Sequence, residues 1–174
     1  MFYLLKPVPF TQLCSIHRET PMSPESQVQL DEALDNAIDA WLLERQQLLT
    51  QFVALPQMSI EDGVLAAIHE LCETLVDYTS QGHFRVYEQL LQIIIERDPS
   101  RKAQLQDLLG EIHDTTDRIV VFDDEYGSAE KLTIQDVGHF TGRLSKLGEA
   151  LTERFNREDE LMALVEGGPA SKMH

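Results

Sequence analysis

Residues 133–165, TIQDVGHFTGRLSKLGEALTERFNREDELMALV, decide the fold class. Val137, Phe140, Leu144, Leu147, Leu151, Phe155, Met162 and Val165 recur at steps of three and four or their sums, which is the period of a helix burying one face. Thr133 and Asp136 have the spacing of a capping box ahead of this run, and Gly167, Gly168 and Pro169 close it. A long amphipathic helix is the only element that fits, and it needs other helices to cover its apolar stripe.

Working backwards, Leu105, Leu108, Leu109, Ile112, Ile119 and Phe122 mark a helix that ends in the acidic turn 123–128, with Asp98-Pro99 as its cap and first turn. Ile60, Val64, Ala67, Ile68, Leu71, Leu75 and Tyr78 mark another, opened by a capping box at Ser59 and Asp62 and broken at Gly82. Phe84, Tyr87, Leu91, Ile94 and Ile95 follow in a shorter helix, a continuation or elbow of the one before it. Leu34, Ile38, Trp41, Leu42, Leu48, Leu49 and Phe52 mark the first helix, from a cap at Ser23 and Pro24 to about Leu55, before Pro56. No segment reads as a strand. The expected fold is all-α, an antiparallel four-helix bundle with an additional short helix over 24–166. Residues 1–23, broken by Pro7, Pro9 and Pro21, read as an N-terminal extension, and 167–174 as a tail.

Fourteen basic against thirty acidic residues give a formal charge of -16, which disfavours direct contact with nucleic acid or anionic membrane and favours cationic partners. Cys14 and Cys72 have no paired spacing and no Cys/His neighbourhood, so reduced thiols and a cytoplasmic setting are expected. Lys6, Pro7 and Pro9 interrupt the apolar start before it reaches the length of an export signal or membrane span. Dimetal bundles need matched Glu-x-x-His pairs, which are missing; His69 with Glu73 and His113 with Asp117 are isolated pairs that surface placement explains. No nucleophile constellation, phosphate loop or cofactor motif appears, so neither metal, cofactor nor enzyme activity is expected.

Three charges break the apolar stripes. Arg45 lies four after Trp41 and three before Leu48; Glu88 lies four after Phe84 and three before Leu91; Glu158 lies three after Phe155 and four before Met162. A buried unpaired charge costs several kcal/mol, about as much as a domain's whole stability margin. Such residues are therefore paired with one another, solvated at a bundle end, or covered by a partner. Asp77, His83, Tyr87 and Asp159 flank them, which leaves two arrangements open: an internal network that sets helix register, or a polar binding pocket.

The run LVDYTSQGHFRVYEQLL at 75–91 closely resembles the most distinctive segment of the Rsd/AlgQ family of bacterial regulators of the primary sigma factor. LSKLGEALTERFNREDEL at 144–161 resembles that family's last helix and AWLLERQQLL at 40–49 its first, so the resemblance spans roughly 25–166. It implies an anti-sigma factor, a helical bundle that binds the C-terminal promoter-recognition domain of the primary sigma factor and lowers its availability to RNA polymerase. AlgQ-type members are also linked to control of alginate and virulence genes. The family's binding segment corresponds here to Asp77, Tyr78, Ser80, His83, Phe84, Tyr87 and Glu88, with Trp41, Arg45, Arg154, Phe155, Glu158 and Asp159 as neighbours. Phe84 and Tyr87 are the expected apolar anchors and Asp77 the expected charge contact, although Phe84 also sits on an apolar stripe as a core residue would. Apart from the resemblance, an acidic bundle equally suits a different regulatory or metabolic protein with a basic surface.

Overall fold

The computed structural model describes residues 24–58, 63–127 and 137–165, and among them it contains helices and no strand. Helix α1 spans Pro24–Ala54, α2 Val64–Gln81, α3 Tyr87–Arg97, α4 Lys102–Tyr126 and α5 Val137–Val165. The all-α reading holds. Short connections make α1 and α2 antiparallel neighbours. The order of ion pairs between α4 and α5 shows the same arrangement: Glu125 meets Arg143 at 3.0 Å, Arg118 meets Glu153, and Glu111 meets Arg157 at 2.5 Å. On the other side of α5, Gly148 faces Phe52 of α1, and Asp159 faces Arg45.

The first helix stops one residue short of Leu55, and Leu55–Gln57 forms a 3₁₀ turn around Pro56, which has no N–H to continue the ladder. Asp98 caps the next junction as expected: its side chain accepts from the Ser100 N–H, and Pro99–Arg101 leads into α4 as a 3₁₀ turn. The caps assigned to Ser23, to Ser59 and Asp62, and to Thr133 and Asp136, as well as the closing glycines, lie outside the described residues. The apolar stripes of the four long helices meet in one core of fully covered side chains, including Leu48, Leu71, Leu75, Leu105, Ile112 and Leu161. Leu49 departs from its assigned stripe and stands 41% exposed.

The break expected at Gly82 is absent. The chain stays helical through Gly82–Val86, which forms a π-helical turn joining α2 directly to α3. Twelve residues separate Leu75 from Tyr87, and at about 100° per residue a regular helix would turn Tyr87 about 120° away from the core. The extra residue of a π-turn takes back one step, so Val86, Tyr87, Leu90, Leu91 and Ile94 face inward and are buried. Phe84 and Glu88 stand on the surface, which corrects the placement of Glu88 on a core-facing stripe.

Candidate partner-binding site

Glu158 of α5 is fully buried, and its carboxylate accepts hydrogen bonds from the hydroxyls of Tyr78 in α2 and Tyr87 in α3. One turn earlier, Arg154 is equally buried, with its Nε 2.7 Å from the same carboxylate. Arg154 Nη2 donates to the Tyr87 hydroxyl at 2.9 Å, and Nη1 donates to the Thr116 hydroxyl of α4 at 2.8 Å and to Thr115 at 3.2 Å. Thr116 also meets His83 Nε2 at 2.9 Å. Trp41 of α1 completes the cluster, stacked on Tyr78 with centroids 5.6 Å apart and edge-on to Tyr87 at 5.7 Å.

The charges of this cluster are matched. Burial works against the charge on Arg154, but Tyr87, Glu158 and Tyr78 outweigh it and tighten its hold on the proton. Burial pushes the Glu158 carboxyl up, opposed by Arg154, the two phenol donors and Arg45. Both phenols are driven well above their ordinary range, chiefly by burial, and so remain donors. Burial, with Arg154 and His113 adding repulsion, lowers His83 to about 3, so its ring is neutral. Glu158, Arg154, the two phenols, Thr116 and His83 are each paired within the cluster, which is what makes a buried polar network tolerable, while the Trp41 indole contributes ring contact and its N–H has no partner there.

Arg45 and Asp159 form a separate feature on the seam between α1 and α5. They are joined at 2.6 Å, with the Asp159 side chain 56% exposed and the Arg45 guanidinium 4.2 Å above the Phe155 ring. The three misplaced charges of the sequence thus have three fates: Glu158 is closed in a network, Arg45 pairs at a half-buried seam, and Glu88 is free of the core.

The remaining expected residues lie on the outside of α2, the π-turn and the first turn of α3. Asp77 is exposed, Ser80 half-buried and Phe84 exposed, at three- and four-residue steps that keep them on one side, and Glu88 is exposed beyond the π-turn. Beside Asp77 a groove of about 430 Å³ is lined by Cys72, Glu73, Val76, Asp77, Asp123 and Gly127. The buried Cys72 thiol at its base is pushed up to about 12 by burial and by Asp123, which keeps it protonated and unreactive. On the other flank Gln81 donates to Glu44, whose carboxyl is raised by burial and by Asp77.

The sequence reading missed Thr115 and Thr116, although both sit three and four residues beyond Ile112 on the α4 stripe, where their polarity was visible. His113 is half-buried, with its ring 6.3 Å from that of His83, and is not a plain surface residue. His69 and Glu73 form an exposed pair at 3.7 Å. Among the described residues no group of three or more His, Cys, Asp or Glu side chains is arranged to hold a metal ion, and no helix is long and apolar enough to cross a membrane.

A family model described as "Regulator of RNA polymerase sigma(70) subunit, Rsd/AlgQ" matches residues 25–166, most of the chain and every described helix. The chain belongs to the Rsd/AlgQ family. Its Rsd/AlgQ relatives include proteins named regulator of sigma D. The one from Pectobacterium carotovorum is 32% identical over 133 residues, 74% of this chain and 86% of the relative. Those from Enterobacter sp. (strain 638) and Yersinia enterocolitica are 34% identical over 137 residues and 29% over 143, covering 79% and 85% of the relatives and 74% and 79% of this chain. No solved structure matches the chain.

Proposed function

We propose that this Rsd/AlgQ member is an anti-sigma factor that binds the C-terminal, promoter-recognising domain of the primary sigma factor and so lowers that factor's availability to RNA polymerase. The observation that carries the reading is the outer face of α2 and the π-turn, where Phe84 stands 58% exposed in line with Asp77 and Ser80, with the exposed Glu88 following at the start of α3. A large aromatic among acids, on a chain of charge -16, suits a basic helical surface: the ring supplies contact area, and the field steers the approach. Asp77 and Phe84 are the direct contacts, with Ser80 and Glu88 at the rim.

Tyr78, Tyr87, Arg154, Glu158 and Trp41 belong to the same site from behind, as the enclosed layer on which that face rests. Tyr87 therefore acts through position and not as an exposed anchor, since only 2% of it is accessible. The reading involves no catalysis: Glu158, the buried acid among the described residues, is committed to an arginine and two phenols inside the core and does not face a substrate. The names of the relatives support a sigma factor as the partner class.

A competition assay tests the proposal. Primary sigma factor and core RNA polymerase are mixed at fixed concentrations, the chain is added in steps, and the complexes are separated by size. The holoenzyme fraction is expected to fall as a complex of the chain with sigma factor appears. Holoenzyme that persists unchanged at saturating chain would refute the claim of lowered availability.

A further inference from the structure

We propose that the π-turn Gly82–Val86 is a device for presenting Phe84, and that His83 is the residue that positions it by tethering the turn to α4. The proposal rests on the reading of Phe84 as a contact for the sigma-factor domain. Phe84 occupies the middle of the turn and is exposed, as is Arg85 after it, whereas Gly82 and Val86 at the two ends of the turn are buried and His83 is half-buried. His83 Nε2 lies 2.9 Å from the Thr116 hydroxyl, and its ring packs edge-on to Tyr87 with centroids 5.1 Å apart. Val86 is fully buried, and the Tyr87 hydroxyl is bonded to Glu158 and Arg154. Gly82 backs onto Trp41 and Tyr87 so closely that an added methyl group would lie 2.6 Å from the Tyr87 hydroxyl.

Thr116 is itself fixed by Arg154 at 2.8 Å, so the tether ends in the buried network and not on a mobile side chain. An α-helix interrupted by a single π-turn is a costly irregularity that recurs at functional sites. Here it solves two demands together: Tyr87 is turned in to meet Glu158, and Phe84 is left out. An aromatic group held in place before binding loses less conformational freedom when the partner arrives, which strengthens the complex without a new contact.

The test is a titration of the full chain with the isolated C-terminal domain of the primary sigma factor, comparing the wild type with Phe84→Ala, His83→Leu and His83→Gln. Helix content and melting temperature are recorded for each. Glutamine keeps a nitrogen where the imidazole Nε2 reaches Thr116, and leucine does not. Phe84→Ala and His83→Leu are expected to weaken binding by about tenfold or more, and His83→Gln to stay within about twofold of the wild type. His83→Leu binding as the wild type does while Phe84→Ala is weak would overturn the positioning role. So would His83→Gln as weak as His83→Leu, which marks the imidazole as a direct contact. If His83→Leu does not fold, deletion of Arg85 replaces it, since losing one residue closes the π-turn to an α-turn and keeps both flanking registers. The deletion is then expected to bind weakly while Arg85→Ala binds normally, and equal binding by the two would overturn the proposal. Absence of binding by the wild type refutes the sigma-factor reading itself, an outcome distinct from the loss of binding in a single variant.

Discussion

Glu158 and Asp159 are sequence neighbours that each pair with an arginine, yet their worth differs sharply. Glu158 is enclosed with Arg154, so Glu158→Ala strands a buried guanidinium and removes the acceptor of two phenols. The expected cost is about 3–5 kcal/mol. Asp159 is more than half exposed, and Asp159→Ala should cost less than about 1 kcal/mol. Chemical denaturation of the two variants checks the contrast, and equal losses would contradict it. His83 offers a pH test. Half-buried and neutral, it is lowered to about 3 in the fold from an ordinary value of 6.5. Between these values the unfolded chain binds more protons, so the stability His83 contributes is complete above about pH 6.5 and is lost as pH falls towards 3. The melting temperature of the wild type should therefore fall more steeply over this window than that of His83→Gln, and parallel curves would show His83 to be protonated in the fold. Arg45 and Glu158 were legible in the sequence as charges on apolar stripes. Their partners were only partly legible, because pairing across helices is a tertiary fact that periodicity cannot supply.

At the scale of elements, Gly82 and Gly110 both sit within helical segments but predict opposite outcomes. A methyl group at Gly82 would meet the Tyr87 hydroxyl at 2.6 Å and Trp41 Nε1 at 3.2 Å, whereas nothing lies within 4 Å of one at Gly110. Gly82→Ala should destabilise by about 1–3 kcal/mol through overpacking. Gly110→Ala should stabilise by up to about 1 kcal/mol through helix propensity. Thermal melts of both decide the matter, and a stabilising Gly82→Ala would contradict the packing around the π-turn. The sequence shows Gly82 as a break because glycine between two apolar runs is ordinarily a stop. The structure keeps the helix and inserts one residue instead. A π-turn leaves no compositional mark; its trace is a shift of the apolar stripe by one position, which a short helix such as α3 displays too briefly to fix its phase. Glu88 was assigned to the core for that reason. The proline boundary before Pro56 and the Asp98 cap were legible because both follow from local backbone chemistry.

For the whole molecule, the all-α architecture and its antiparallel order follow from four long amphipathic segments joined by short connections, and their apolar faces are legible residue by residue. The division of the candidate site into an enclosed layer and an exposed face was not. Tyr78 and Asp77 are adjacent in sequence, and only the packing of α2 against α1 and α4, with Tyr78 reaching Glu158 and Phe155 of α5, turns one inward and the other out. The net charge of -16 belongs to the molecule as a surface, and it sets the sign of the partner more firmly than any single acid does. The central claim is that the outer face of α2 and the π-turn grips the C-terminal domain of the primary sigma factor. The most direct measurement is calorimetric titration of the chain with that isolated domain, run beside the Asp77→Ala variant. Saturable binding by the wild type, markedly weakened in a variant whose helix content and melting temperature are unchanged, is the predicted result; no binding by the wild type, or binding that Asp77→Ala leaves intact, would contradict the account.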